Sequence, residues 1–202
     1  MPRKTDKRDR LIEAAKTLIH QQGFNLTTLA DIAQEADVPL GNVYYYFKTK
    51  EAIGITVIEK RSADFQASVA KWANLDEPSD RLFAYIQYCL EDIEITARYG
   101  CSVGGLCQEL GKKGGQLADL AANLLHDTLV WFEEQFKALG IADKAQEYSL
   151  SLLSSIQGIY LLAHTFKDPK IATRQSQILE AWLASVLAKA TIKSDQVFAM
   201  TG

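Results

Sequence analysis

Between Thr27 and Lys50 the chain gathers groups that bind phosphates and read base edges. Hydroxyls stand at Thr27, Thr28, Tyr44 and Tyr45, a carboxamide at Asn42, and ammonium groups at Lys48 and Lys50. Their spacing carries more than their number. Two short helices joined by a tight turn hold their angle only if the first has a small residue where the second crosses, and Ala33 fills that place. The turn then needs a residue that tolerates the left-handed conformation. Asp37 stands where glycine is usual, at a cost of about 1 kcal/mol. Val38, Val43 and Phe47 anchor the second helix. This is the pattern of a helix-turn-helix, whose second helix enters the major groove of DNA. Three consecutive tyrosines cannot all face one core on a helix, so Tyr44 and Tyr45 are expected outward and Tyr46 inward or idle.

Other chemistries lack their groups. The chain has no glycine-rich phosphate loop and no nucleophile–base motif, so no catalytic residue and no cofactor are expected. His20, His126 and His164 are scattered without ligand spacing, and no metal site is expected.

The elements that must position these residues read as helices throughout. The chain has 202 residues, 48% hydrophobic and 23% charged, enough for a core and too apolar for disorder. Its net charge of −3 conceals an asymmetry. Residues 1–61 carry ten Lys and Arg against eight Asp and Glu, whereas 62–202 carry twelve against seventeen. Three cysteines without a secretory leader argue against a disulfide framework and for a cytoplasmic setting. Ser149 to Phe166 lacks charge, but its serines, Gln157 and His164 suit a helix buried in protein better than a membrane span.

Leu11, Ile12, Ala15, Leu18 and Ile19 form one helical stripe stopped by Gly23. Thr27 and Thr28 are N-cap candidates for the next helix, and Pro39 suits the first turn of the one after. A longer helix runs from about Thr49 towards Trp72. After a break around Pro78, Ser79 or Asp80 can cap a helix reaching about Ala97. Tyr99 to Gly115 is expected to be irregular, with one helical turn near Leu106. Three further helices come after it, interrupted at Gly140 and at Asp168-Pro169. The fold class is all-α.

The run from Asp31-Ile32-Ala33 through Ala36-Asp37-Val38, Gly41, Tyr44 and Phe47 to Lys50-Glu51 resembles the TetR family of transcriptional regulators, as do Gly23-Phe24 and Thr27-Thr28 before it. The resemblance implies a three-helix DNA-binding domain over residues 1–50 and a helical effector-binding and dimerisation domain over 51–202. It implies double-stranded operator DNA as a partner, a homodimer with a four-helix interface, and a repressor released by a small organic effector. Thr28 is then expected to offer a phosphate its hydroxyl and free backbone N–H groups. Leu40, Gly41 and Asn42 would stand at the end of the recognition helix that reaches bases. There Leu40 would touch a thymine methyl, Gly41 would permit close approach, and Asn42 would read adenine. Tyr44, Tyr45, Lys48 and Lys50 would contact phosphates, with Lys4, Lys7 and Arg8 as a flexible arm. Two alternatives stand beside this reading. One is a thiol sensor in which Cys101 reacts with electrophiles or oxidants, and the other is a helical protein-binding adaptor that ignores DNA.

For the effector, Tyr85, Tyr88, Trp131, Gln157, Tyr160 and His164 are candidate lining residues. Cys101, in a glycine-rich stretch with Cys107, is the candidate reactive thiol. Ser151, Ser154, Ser155 and Gly158 are small residues at helical spacing that permit close helix approach in a dimer.

Overall fold

Apolar residues at helical spacing have one way to leave water, which is to face one another, and here the stripes close into an all-helical core. The computed structural model describes residues 4–201, with side chains from 7 to 189. Among the described residues there is no strand. The helices are α1 (Lys4–Gln22), α2 (Leu29–Glu35), α3 (Leu40–Tyr46), α4 (Lys50–Trp72) and α5 (Pro78–Glu91). They continue as α6 (Ile93–Tyr99), α7 (Gly104–Gly111), α8 (Gln116–Ala138), α9 (Ala145–Phe166) and α10 (Lys170–Thr201).

Three local expectations change. The basic N-terminus is helical from Lys4, so Lys7 and Arg8 lie on α1 and not on a flexible arm. The Arg8 guanidinium sits 5.6 Å from the centre of the Phe47 ring, and the side chain of Lys4 lies outside the described residues. The helix expected to reach Ala97 breaks at Asp92 into α5 and α6, and it is Pro78, not Ser79 or Asp80, that opens α5. The glycine-rich segment after Tyr99 holds a full helix, α7. Leu106 and Leu110, one turn apart, are both buried, and that shared face outweighs the poor helix propensity of Gly104 and Gly105.

The chain packs as two units, Met1–Ala67 with Cys101–Leu125, and Ser68–Gly100 with His126–Gly202. The unit around the motif is therefore larger than residues 1–50. Its core gathers Leu11, Ala15, Ile32, Val43, Ile53 and Val57 with Leu106, Leu110 and Ala121. Lys16 on α1 donates to Asp64 on α4 at 2.8 Å, and Lys60 also bonds Asp64. In the second unit Leu82, Ile86, Phe132, Phe136, Leu152 and Leu183 are buried. Ala97 of α6, Ala163 of α9 and Ala172 of α10 meet in a separate small cluster.

Candidate nucleic-acid interface

The first motif helix starts where the sequence offers a reciprocal cap. The Thr28 hydroxyl accepts the Asp31 N–H at 3.1 Å, and the Asp31 carboxylate accepts the Thr28 N–H at 2.8 Å. The Thr28 N–H first, and then the Thr28 hydroxyl beside it, hold the Asp31 carboxyl below its ordinary pKa. A cap of this kind stabilises a helix by about 1 kcal/mol. Thr28 is exposed.

Its neighbour Thr27 is a correction. Only 1% of its surface is open, and its hydroxyl donates to the Gly23 carbonyl at 2.7 Å. Thr27 closes the turn after α1 and has no face to give to DNA. Gly23 itself holds φ +86°, a left-handed geometry that ends α1.

The turn between the motif helices has the expected form. Asp37 takes φ +49°, and the Val38 N–H bonds the Ala33 carbonyl at 2.9 Å. Arg10 of α1 locks it, donating to the Ala36 carbonyl and, at 2.8 Å, to the Asp37 carbonyl, with the Asp37 carboxylate 3.3 Å away. Sequence reasoning missed Arg10, which looked like one more solvated charge.

Pro39 stands one residue before α3, as its N-cap. Ile32, Ala33, Val38, Val43 and Phe47 are buried, so α3 turns its other side outward. On that side Leu40, Tyr44 and Tyr45 are exposed, Tyr45 by 61%, with Gly41 exposed and Asn42 half-buried. Tyr46 packs on the core, its ring 5.0 Å from that of Tyr45 and edge-on to it. A Cβ built on Gly41 would meet nothing within 4 Å, so the fold itself does not require glycine there.

Lys48 is exposed beyond α3, whereas Lys50 is half-buried and turned to the chain. Its ammonium donates to the Asn25 carbonyl at 2.8 Å and lies 4.7 Å from the centre of the Phe24 ring. Burial, then the like charge of Lys113, holds its pKa below the usual lysine value.

The candidate effector residues divide. Tyr85, Tyr88 and Trp131 come together with Trp72 and Phe132, which sequence reasoning did not single out. The Trp72 ring centre is 5.7, 5.5 and 5.1 Å from those of Tyr85, Tyr88 and Trp131. Tyr160 and His164 stand one turn apart on α9. The Tyr160 hydroxyl donates to the Cys89 carbonyl at 3.0 Å, and His164 Nδ1 lies 3.3 Å from the Ala97 carbonyl and 3.1 Å from Lys167 Nζ. Gln157 is half-buried on the same helix.

Cys101 falls in the other unit, with its sulfur accepting the Gly104 N–H at 3.2 Å. Cys107 bonds the Ala121 carbonyl at 3.1 Å, and burial pushes its thiol up to about 11, leaving it protonated at neutral pH. The thiol-sensing alternative is not favoured. Among the described residues no three His, Cys, Asp or Glu side chains could hold a metal ion together, and no helix is long and apolar enough to cross a membrane.

Comparison with known proteins agrees with this geometry. Residues 11–54 match the family of bacterial regulatory proteins, tetR family. The transcriptional regulator LmrA of Bacillus subtilis is 27% identical over 172 residues, 81% of this chain and 89% of that protein. The transcriptional repressor NemR of Escherichia coli is 28% identical over 121 residues, 59% of this chain and 58% of its own length. A solved TetR-family regulator from Agrobacterium tumefaciens superposes with a TM-score of 0.77 at 19% identity, covering 88% of this chain and 97% of that one. Residues 11–54 thus carry the DNA-binding domain of the tetR family of bacterial regulatory proteins, the fold is shared along nearly the whole length, and the chain is a DNA-binding transcriptional regulator of TetR type.

Proposed function

We propose that this regulator is a homodimeric repressor that holds a double-stranded operator until a small organic effector releases it. The DNA-binding function is assigned to residues 1–50, and effector binding and dimerisation to 51–202, in the cytoplasm. The observation that carries the reading is the outward side of α3. Leu40, Tyr44 and Tyr45 are large apolar or aromatic side chains left open on a helix whose other side buries Val43 and, at its C-cap, Phe47. In the groove Leu40 meets a thymine methyl, Asn42 reads an adenine edge, and Tyr44, Tyr45, Lys48 and the Thr28 hydroxyl take phosphates. Lys50, already engaged with Asn25, contributes to the local potential more than a direct bond.

Dimerisation is supported by the open faces of α9 and α10. Leu150, Leu161, Leu162 and Phe166 on α9 and Ile178 on α10 are exposed, Phe166 by 64%. Ser151, Ser154, Ser155, Ala181, Ala184 and Ser185 are exposed among them. An apolar patch interspersed with small residues fits a partner helix pair closely. The aromatic group of Tyr85, Tyr88 and Trp131 supports an effector with flat apolar surface, with Gln157, Tyr160 and His164 supplying polar atoms.

Binding of the purified protein to DNA upstream of its own gene, titrated in salt, tests the reading. If about six phosphates are neutralised, affinity falls about a thousandfold between about 50 and 200 mM salt, and Tyr44→Ala weakens binding about fivefold to tenfold without unfolding the protein. Binding that ignores salt, or a Tyr44→Ala protein with unaltered affinity, overturns it.

A further inference from the structure

The loop between α1 and α2 is restrained far beyond what an exposed loop needs. Asn25 is exposed, and each of three hydrogen-bonding groups on it is held by a charged side chain from a distant helix or turn. Its N–H donates to Glu109 Oε1 at 2.7 Å, its carbonyl accepts Lys50 Nζ at 2.8 Å, and its Oδ1 accepts Lys113 Nζ at 2.7 Å. The other Glu109 oxygen accepts the Phe24 N–H at 2.7 Å. One carboxylate thus holds two successive backbone N–H groups, both at charge-assisted lengths.

Two close approaches keep that geometry unique. A Cβ on Gly23 would come within 2.9 Å of Glu109 Oε2, and one on Gly54 within 2.7 Å of the Phe24 ring. The Phe24 ring is buried against α4, and Leu106 and Leu110 fix α7 in the same core on either side of Glu109. Long charged side chains lose rotamer freedom when they are held at the surface, so stability alone does not account for three of them converging on one exposed residue. The reason lies in Thr28, three residues after Asn25, which is the proposed phosphate ligand and the start of the motif.

We propose that Glu109 is a positioning residue for operator binding: its carboxylate, gripping the Phe24 and Asn25 N–H groups, sets the loop that carries Thr28 to the DNA. The inference rests on the reading of Thr28 as a phosphate contact, and it makes α7 the helix whose position governs the first half of the motif. A shift of α7 that takes Glu109 off the two N–H groups frees the loop.

The test is a double-mutant cycle on operator affinity with the full-length protein, at fixed salt. Glu109→Ala is expected to weaken operator binding about tenfold, and Glu109→Gln, which keeps a carbonyl acceptor, to recover part of that loss. In a Thr28→Ala background the Glu109→Ala effect should shrink to about twofold or less, while in a Tyr44→Ala background it should persist in full. A merely structural Glu109 would add its effect equally to both. Faster hydrogen exchange at the Phe24 and Asn25 amides in Glu109→Ala would report the freed loop directly, and if that variant does not fold, Glu109→Gln carries the same cycle. Unchanged operator affinity in both Glu109 variants, or equal effects in the two backgrounds, overturns the proposal. A silent Thr28→Ala with an active Glu109→Ala would instead remove Thr28 from the interface, and the proposal with it.

Discussion

At Gly41 the demands of folding and of binding point in opposite directions. It lies in the first turn of α3, exposed, with open space where a Cβ would go. Glycine inside a helix costs about 0.5–1 kcal/mol relative to alanine. Because this glycine weakens its own helix and relieves no crowding within the chain, the reason proposed for it lies outside the chain, in the close approach of DNA. Gly41→Ala is therefore expected to stabilise the protein by about 0.5–1 kcal/mol in denaturant unfolding and to weaken operator binding at the same time. A variant that gains stability and keeps full affinity would show that no DNA group comes near. The contrast between Thr27 and Thr28 is of the same kind, since one step along the chain separates a hydroxyl bonded inward to Gly23 from one left at the surface.

The turn from α2 to α3 shows at the scale of elements what the chain tolerates. Asp37 holds φ +49° and its carboxylate is fully exposed beside Arg10, so the ion pair contributes little. The restraint that matters is Arg10 on the Ala36 and Asp37 carbonyls, which any residue at 37 preserves. Asp37→Gly should relieve the left-handed strain and raise stability by up to about 1 kcal/mol, with operator affinity unchanged. A lower melting temperature would mean that the carboxylate contact outweighs the strain. The motif was legible in the sequence because it is local: Ala33, Asp37, Val38 and Val43 lie close along the chain to their partners, and the caps and stops need only neighbours. Arg10 and Glu109 were not legible. Arg10 reaches carbonyls 26 and 27 positions away and Glu109 reaches N–H groups 84 and 85 positions away, and no periodicity encodes such pairings. The helix α7 escaped for a related reason, since its glycines speak against helix and only the buried faces of Leu106 and Leu110 decide for it.

At the scale of the whole molecule the problem is how one weakly basic motif on an acidic chain binds a polyanion selectively. A single seven-residue recognition helix offers few base contacts, and the net charge of −3 adds no general attraction. In the proposed dimer two motifs would solve this, because the second half-site is bound at high effective concentration when the recognition helices lie about 34–36 Å apart or a multiple of that. The exposed face of α9 and α10, proposed as the dimer interface, would then carry operator affinity without touching DNA. Leu161 belongs to that face, exposed by 59% and followed by the exposed Leu162. Leu161→Glu would put a carboxylate against its own copy across a two-fold axis and should shift the protein to its 22.5 kDa monomer in sedimentation. Operator affinity should drop with it by about a hundredfold or more, while a single half-site is bound as before. If the variant stays dimeric with full affinity, the partner covers another face, and the open leucines of α9 need a different explanation.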